Sequence, residues 1–235
     1  MKKLIPNAIT LINLLSGCMA IMCATAPLDV IGGHPAYMTA FCFILLASVA
    51  DFMDGLSARM LDRYSPLGKQ LDSLSDLVSF GVAPAMLLSG LMTAAGAPLW
   101  SRLCCMLIPL CGALRLANFN IDATQSRSFK GLPIPAAALF CIGLASLMAS
   151  EGGVNLLAAV GCIIAVSLLM VVPVRMYSFK VSDFSLKANL LPLSLVAVAV
   201  VCICVWGWTG LFFAVGYYVL SAFIASTFVQ IREGA

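Results

Sequence analysis

Eight apolar runs of membrane-spanning length divide this chain and leave little room for anything else. They fall at about residues 8–26, 37–61, 71–95, 98–119, 133–149, 154–173, 188–206 and 209–230. Between them lie short stretches rich in turn-forming and charged residues: PLDVIGGHP, LDRYSPLGK, AAGAP, NIDATQSRSFKGLP, SEGG, VRMYSFKVSDFS and GWTG. Lipid offers no hydrogen bonds to an exposed backbone, so segments like these must satisfy their own amides as helices. The alternating ten-residue pattern of a β-barrel is missing. Only 10% of the 235 residues are charged, against about 25% in a soluble domain. The expectation is an all-α, polytopic transmembrane bundle forming one integral-membrane domain over 1–235, without a sizeable soluble module.

Charge placement gives the orientation. With the N-terminus in the cytoplasm, Lys2, Lys3, Arg59, Arg63, Lys69, Arg115, Arg127, Lys130, Arg175, Lys180, Lys187 and Arg232 share one face, and only Arg102 lies on the other. That asymmetry is the positive-inside pattern, and it accounts for the net charge of +3. Basic runs interleaved with aromatics do not occur, which excludes nucleic acid as a partner. The opening MKKLIPNAITLINLLSGC imitates a signal peptide, but Asn7, Thr10 and Asn13 interrupt its apolar region. It reads as a retained first helix. Ten cysteines scattered through the spans suit neither a disulfide framework nor a zinc site and read as small packing residues.

Against this background the aspartates of residues 51–76 are anomalous. A carboxylate inside a membrane helix costs roughly 2.5–3.5 kcal/mol on insertion scales unless something neutralises it. Asp51 and Asp54 are three apart near the end of the second run, and Asp72 and Asp76 are four apart near the start of the third. Each spacing puts its pair on one helix face, so two antiparallel helices could aim four carboxylates into one cavity. Oxygen-only ligands favour a hard divalent cation such as Mg²⁺ or Mn²⁺ over zinc. A cation pathway, or a salt-bridge cluster with Arg59 and Lys69, would account for the same carboxylates.

The order of residues separates these readings. Asp51, Asp54, Gly55, Ala58, Arg59, Gly68, Asp72 and Asp76 match, at every fixed position, the motif of the CDP-alcohol phosphatidyltransferases, which this chain therefore resembles. Further segments resemble one branch, the bacterial-type phosphatidylserine synthases: IPNAITLINLLSG, LDSLSDLVSFGVAPA, ALRLANFN, FKGLPIPAAA and PVRMYSFK. The likeness covers about residues 4–180, and the last two runs match in hydropathy only. Ala117-Asn118-Phe119-Asn120 stands where many relatives carry Arg-Phe-Asn.

The resemblance implies transfer of a phosphatidyl group from CDP-diacylglycerol to the hydroxyl of L-serine, with release of CMP. It implies two divalent ions, Mg²⁺ or Mn²⁺, held by Asp51, Asp54, Asp72 and Asp76, with Asp76 also taking the proton from serine. It assigns the CDP and phosphate side to Gly55, Ala58, Arg59 and Gly68, with Asn7 and Thr10 at the cytidine or its ribose. Arg59 has holding an aspartate as its alternative role, and Asn7 and Thr10 have interhelical hydrogen bonding. Serine also needs a cation for its carboxylate. Arg115, inside a span, leads there, with Asn118, Asn120, Lys130, Arg175 and Lys180 as further candidates. The resemblance further implies a homodimer in the bacterial inner membrane, with its active site facing the cytoplasm. Pro84, Pro109 and Pro135 are candidate kinks around a lipid-open groove. The competing readings are another acceptor, glycerol 3-phosphate or inositol phosphate, and an ion-coupled transporter. The transporter would show inverted repeats, and the aspartate string has no second copy.

Overall fold

The computed structural model describes residues 4–60, 66–121, 129–150, 153–172, 175–176 and 190–233. Among the described residues, eight helices occupy the eight apolar runs. They are α1 (Leu4–Thr25), α2 (Ala36–Met60), α3 (Pro66–Ala94), α4 (Leu99–Ile121), α5 (Ile134–Ala149), α6 (Leu156–Val171), α7 (Leu190–Trp206) and α8 (Gly210–Glu233). Helix α3 starts several residues before its apolar run, because Pro66 is preorganised for a first helical position and carries the polar turn that follows.

Among the described residues, five stretches are long and apolar enough to cross a bilayer: Asn7–Thr25, Ala36–Ser57, Pro66–Ala94, Leu99–Ile121 and Ser194–Ile224. The last is not one rod. A 3-10 turn at Gly207–Thr209, with Gly207 at φ 56°, folds α8 back onto α7. Helices α5 and α6 are apolar but only 16 residues long, short of the roughly 20 that a full crossing takes. The polytopic all-α bundle expected from the sequence is present, with α5 and α6 shorter than their apolar runs because those runs include residues that cap and link the helices.

Helix α3 is the axis of the bundle, packed by α1, α4 and α5. Phe80, Leu87, Leu88 and Met92 from α3 meet Phe41 and Ile44 from α2, Ile108 from α4, and Ile142 and Leu144 from α5 in the buried core. The faces turned to lipid carry Leu11, Leu15 and Met22 on α1 and Val196, Val200 and Val201 on α7. Close approach of α1 to α3 depends on small residues. A Cβ on Gly17 would strike Ser79, and one on Gly90 would strike the carbonyl of Ala24.

Two of the three prolines fall where helices lose regularity. Pro84 follows a π-helical stretch, Leu77–Val82, inside α3. Pro109 lies four residues after a turn at Cys105, between the segments Leu99–Cys104 and Leu107–Ile121 of α4. A proline removes the hydrogen bond to the carbonyl four residues back, and the helix adjusts there. Pro135 instead sits at the second position of α5, where no such bond is lost, so it is not a kink.

Among the described residues, two short antiparallel ribbons lie between helices. β1 (Val30–Ile31) pairs with β2 (His34–Pro35), and β3 (Phe129–Lys130) pairs with β4 (Arg175–Met176). In the second ribbon Lys130 lies directly across from Arg175.

Candidate active site

The second half of α2 and the first turns of α3 bring the aspartates together. Carboxylate oxygens of Asp51, Asp72 and Asp76 lie within 4.8 Å of one another, close enough to share one cation. Asp76 and Asp54 are buried, Asp51 and Asp72 half-buried. Three carboxylates this close in a poorly solvated region repel one another strongly, so the arrangement fits a bound divalent ion. All the donors offered are hard oxygens, the chemistry that Mg²⁺ and Mn²⁺ prefer.

Asp54 stands apart from that triad. Its Oδ2 accepts a 2.6 Å hydrogen bond from the Thr10 hydroxyl on α1. Its charge still reaches Asp51, Asp72 and Asp76. Thr10, for which the sequence leaves both nucleotide contact and interhelical hydrogen bonding open, makes an interhelical bond here to an aspartate of the motif. Asn7, one turn earlier, is half-buried on the same helix.

The structure adds two residues that sequence reasoning left out of the site. Asn13, fully buried, donates from Nδ2 to Asp76 Oδ1 at 3.0 Å. Its own backbone carbonyl accepts from the hydroxyl of Ser79 at 2.9 Å. Ser79 lies in the π-helical stretch that begins one residue after Asp76, a local irregularity that recurs at functional sites. The sequence signal for Asn13 is its polarity inside an apolar helix, since a buried amide in lipid needs a partner.

The expected nucleotide contacts are placed unevenly. Gly55 follows Asp54 and has open space where a Cβ would stand, leaving room for a ligand to approach the backbone. Gly68 lies in the first turn of α3. Ala58 and Arg59 belong to the last turns of α2, and their side chains lie outside the described residues.

Helix α4 supplies the candidates for the acceptor side. Arg115 is half-buried, with Nε shielded and lacking a hydrogen-bond partner, and its charge reaches both Asp76 and Tyr218 of α8. Asn120 donates to the Ser73 hydroxyl at 2.8 Å, and its carbonyl accepts from Lys69 at 2.9 Å. Those bonds tie the end of α4 to the start of α3, beside Asp72. Asn118 is exposed. Lys130 and Arg175 are brought opposite each other by the β3–β4 ribbon, although their side chains, like Lys180 as a whole, lie outside the described residues.

Comparison with known proteins matches residues 3–173 to the family model described as CDP-alcohol phosphatidyltransferase. The chain belongs to the CDP-alcohol phosphatidyltransferase family. Among similar proteins, a CDP-diacylglycerol–serine O-phosphatidyltransferase of Bacillus subtilis is 35% identical over 75% of this chain and 91% of its own length. The protein of the same name from Methanocaldococcus jannaschii is 38% identical over 62% of each chain, less than two thirds of that relative. An archaetidylserine synthase of Methanothermobacter thermautotrophicus is 36% identical over 71% of this chain and 66% of its own. The family match ends before α7 and α8, so Tyr218 lies beyond it.

Proposed function

We propose that this protein transfers the phosphatidyl group of CDP-diacylglycerol to the hydroxyl of L-serine, giving phosphatidylserine and CMP. The observation that carries the reading is the convergence of Asp51, Asp72 and Asp76 at the polar end of a membrane bundle of this family. The serine-transferring relatives support the choice of acceptor. The whole chain, 1–235, acts as one catalytic unit in this reading, since α8 packs on α5 and brings Tyr218 toward Arg115.

The serine oxygen attacks the phosphorus that carries the diacylglycerol, and the bond from that phosphorus to the CMP oxygen breaks. Asp51, Asp54, Asp72 and Asp76 would hold Mg²⁺ or Mn²⁺, as two ions, and the metal would supply the positive charge that offsets the diphosphate and the departing CMP. Asp76, at the buried end of the cluster, takes the hydroxyl proton as the new bond forms. An ordinary carboxylate is too weak a base to ionise an alcohol beforehand, so proton removal accompanies attack. Thr10 holds Asp54, and Gly55 leaves space for the nucleotide. Arg115 receives the serine carboxylate, for which a planar guanidinium is well shaped. Acyl chains stay in the bilayer, and only the head group reaches the aspartates.

The distribution of Lys and Arg supports a cytoplasmic N-terminus and active site in a bacterial plasma membrane. A homodimer follows from the family resemblance, and crosslinking in nanodiscs tests it.

The deciding assay supplies purified protein with CDP-diacylglycerol, Mn²⁺ or Mg²⁺, and labelled serine, glycerol 3-phosphate or inositol phosphate. CMP release with serine alone is expected, and chelation of the metal stops it. Release with one of the other acceptors alone overturns the serine assignment. Silence with all three overturns the enzymatic reading and favours ion transport.

A further inference from the structure

Four shielded side-chain polar atoms among the described residues lack a hydrogen-bond partner: Asn13 Oδ1, Ser75 Oγ, Arg102 Nε and Arg115 Nε. Arg102 lies at the far end of α4, where it donates to Thr93. The other three belong to residues linked to Asp76. Asn13 is bonded to it, Arg115 is in electrostatic reach of it, and Ser75 precedes it in the chain. Hydrogen bonds left unmade in a buried site are costly, and a group that supplies the missing partner recovers that cost.

Asn13 is held too firmly to turn its oxygen elsewhere. Its exposure is 0%. Its Nδ2 is engaged by Asp76 and its carbonyl by Ser79, and Gly17, one turn on, lies against Ser79. Its free Oδ1 is an acceptor only, so neither a phosphate nor a carboxylate can satisfy it. A donor must come to it from whatever occupies the space beside Asp76.

We propose that Asn13 determines acceptor specificity: its amide nitrogen positions Asp76, and its amide oxygen receives the α-ammonium of serine. The inference rests on the serine-transferring reading above. Hydroxyl and ammonium sit on adjacent carbons of serine. A residue bonded to the carboxylate that meets the hydroxyl is therefore in reach of the ammonium. The cytidine amine lies at the opposite end of the nucleotide from the attacked phosphorus and does not compete for this place. Arg115, whose charge reaches Asp76, takes the carboxylate. Acceptor, carboxylate and cation together complement an amino acid bearing a β-hydroxyl.

The test compares L-serine with 3-hydroxypropionate, which keeps the hydroxyl and carboxylate and lacks the ammonium. Competition against labelled serine gives its Ki whether or not it is itself a substrate. In the unaltered protein, Ki for 3-hydroxypropionate should exceed the KM for serine about tenfold or more, the worth of a hydrogen bond to a charged group. A ratio under about twofold overturns the proposal without any variant. In Asn13→Leu, the serine KM should rise about tenfold while the 3-hydroxypropionate Ki moves less than about twofold. Equal increases for both, or a fall in kcat alone, reduce Asn13 to a holder of Asp76 and overturn the ammonium contact. Mn²⁺ titration followed by electron paramagnetic resonance should show a loss of metal affinity of no more than about twofold in Asn13→Leu, because Asp51, Asp54 and Asp72 keep their places; a loss as large as the rise in serine KM assigns the effect to the metal site and overturns the ammonium contact. Absence of serine-dependent CMP release from the unaltered protein is a different failure, that of the parent reading.

Discussion

The α1–α3 contact and the α5–α8 contact are built with the same device and put to different use. Both close through a glycine that admits a neighbouring backbone: Gly17 faces Ser79 in the first, and Gly143 faces Phe212 in the second. In the first contact the closeness carries polar bonds between helices, from Asn13 to Asp76 and from Ser79 to the Asn13 carbonyl, while Thr10 on the same helix bonds Asp54 of α2. In the second it carries apolar packing. Phe140 and Phe212 stack with centroids 4.7 Å apart, and one hydroxyl pair, Ser146 with Thr209, lies nearby at 3.0 Å. Close packing in lipid is thus neutral as to purpose. What it positions depends on which side chains flank the small residue.

The largest expected effect lies at the polar end of the first contact. Asp76→Asn should lower CMP release by about 10²–10⁴-fold, the usual contribution of a positioned base, while CDP-diacylglycerol is still retained. Turnover close to that of the unaltered protein would take Asp76 out of the base role.

The comparison itself is sharpened by matched substitutions. Gly17→Ala and Gly143→Ala should each destabilise the protein by about 1–3 kcal/mol through overpacking, read as a lower thermal midpoint in detergent. Only Gly17→Ala should also reduce the specific activity of the folded fraction, by about tenfold, because it shifts α1 against the aspartates. Equal specific activities would break the distinction between the two contacts.

A smaller effect is expected on the acceptor side. Arg115→Lys should raise the serine KM about tenfold and the CDP-diacylglycerol KM far less, because a two-pronged contact becomes a single one. The reverse pattern would move Arg115 to the nucleotide. Smallest is Tyr218→Phe, with a serine KM about threefold higher through a weakened neighbour of Arg115. No change there would leave the α7–α8 hairpin purely structural.

The membrane class, the number of helices and the aspartate motif are all legible in the chain. Hydropathy determines which segments enter lipid, and 3.6-residue periodicity determines which aspartates share a helix face. Asp72 and Asp76 needed only their spacing to be paired. The tertiary structure alone decided that Asp51, Asp72 and Asp76 converge while Asp54 turns to Thr10. It alone joined Asn13 to Asp76, 63 residues away. In sequence Asn13 is only a polar interruption of an apolar helix. Periodicity relates residues along one helix but says nothing of how far a neighbour is rotated or how deep it sits. Those two quantities are set here by single glycines and by the π-helical stretch at Leu77–Val82, features with no repeating signature in the chain.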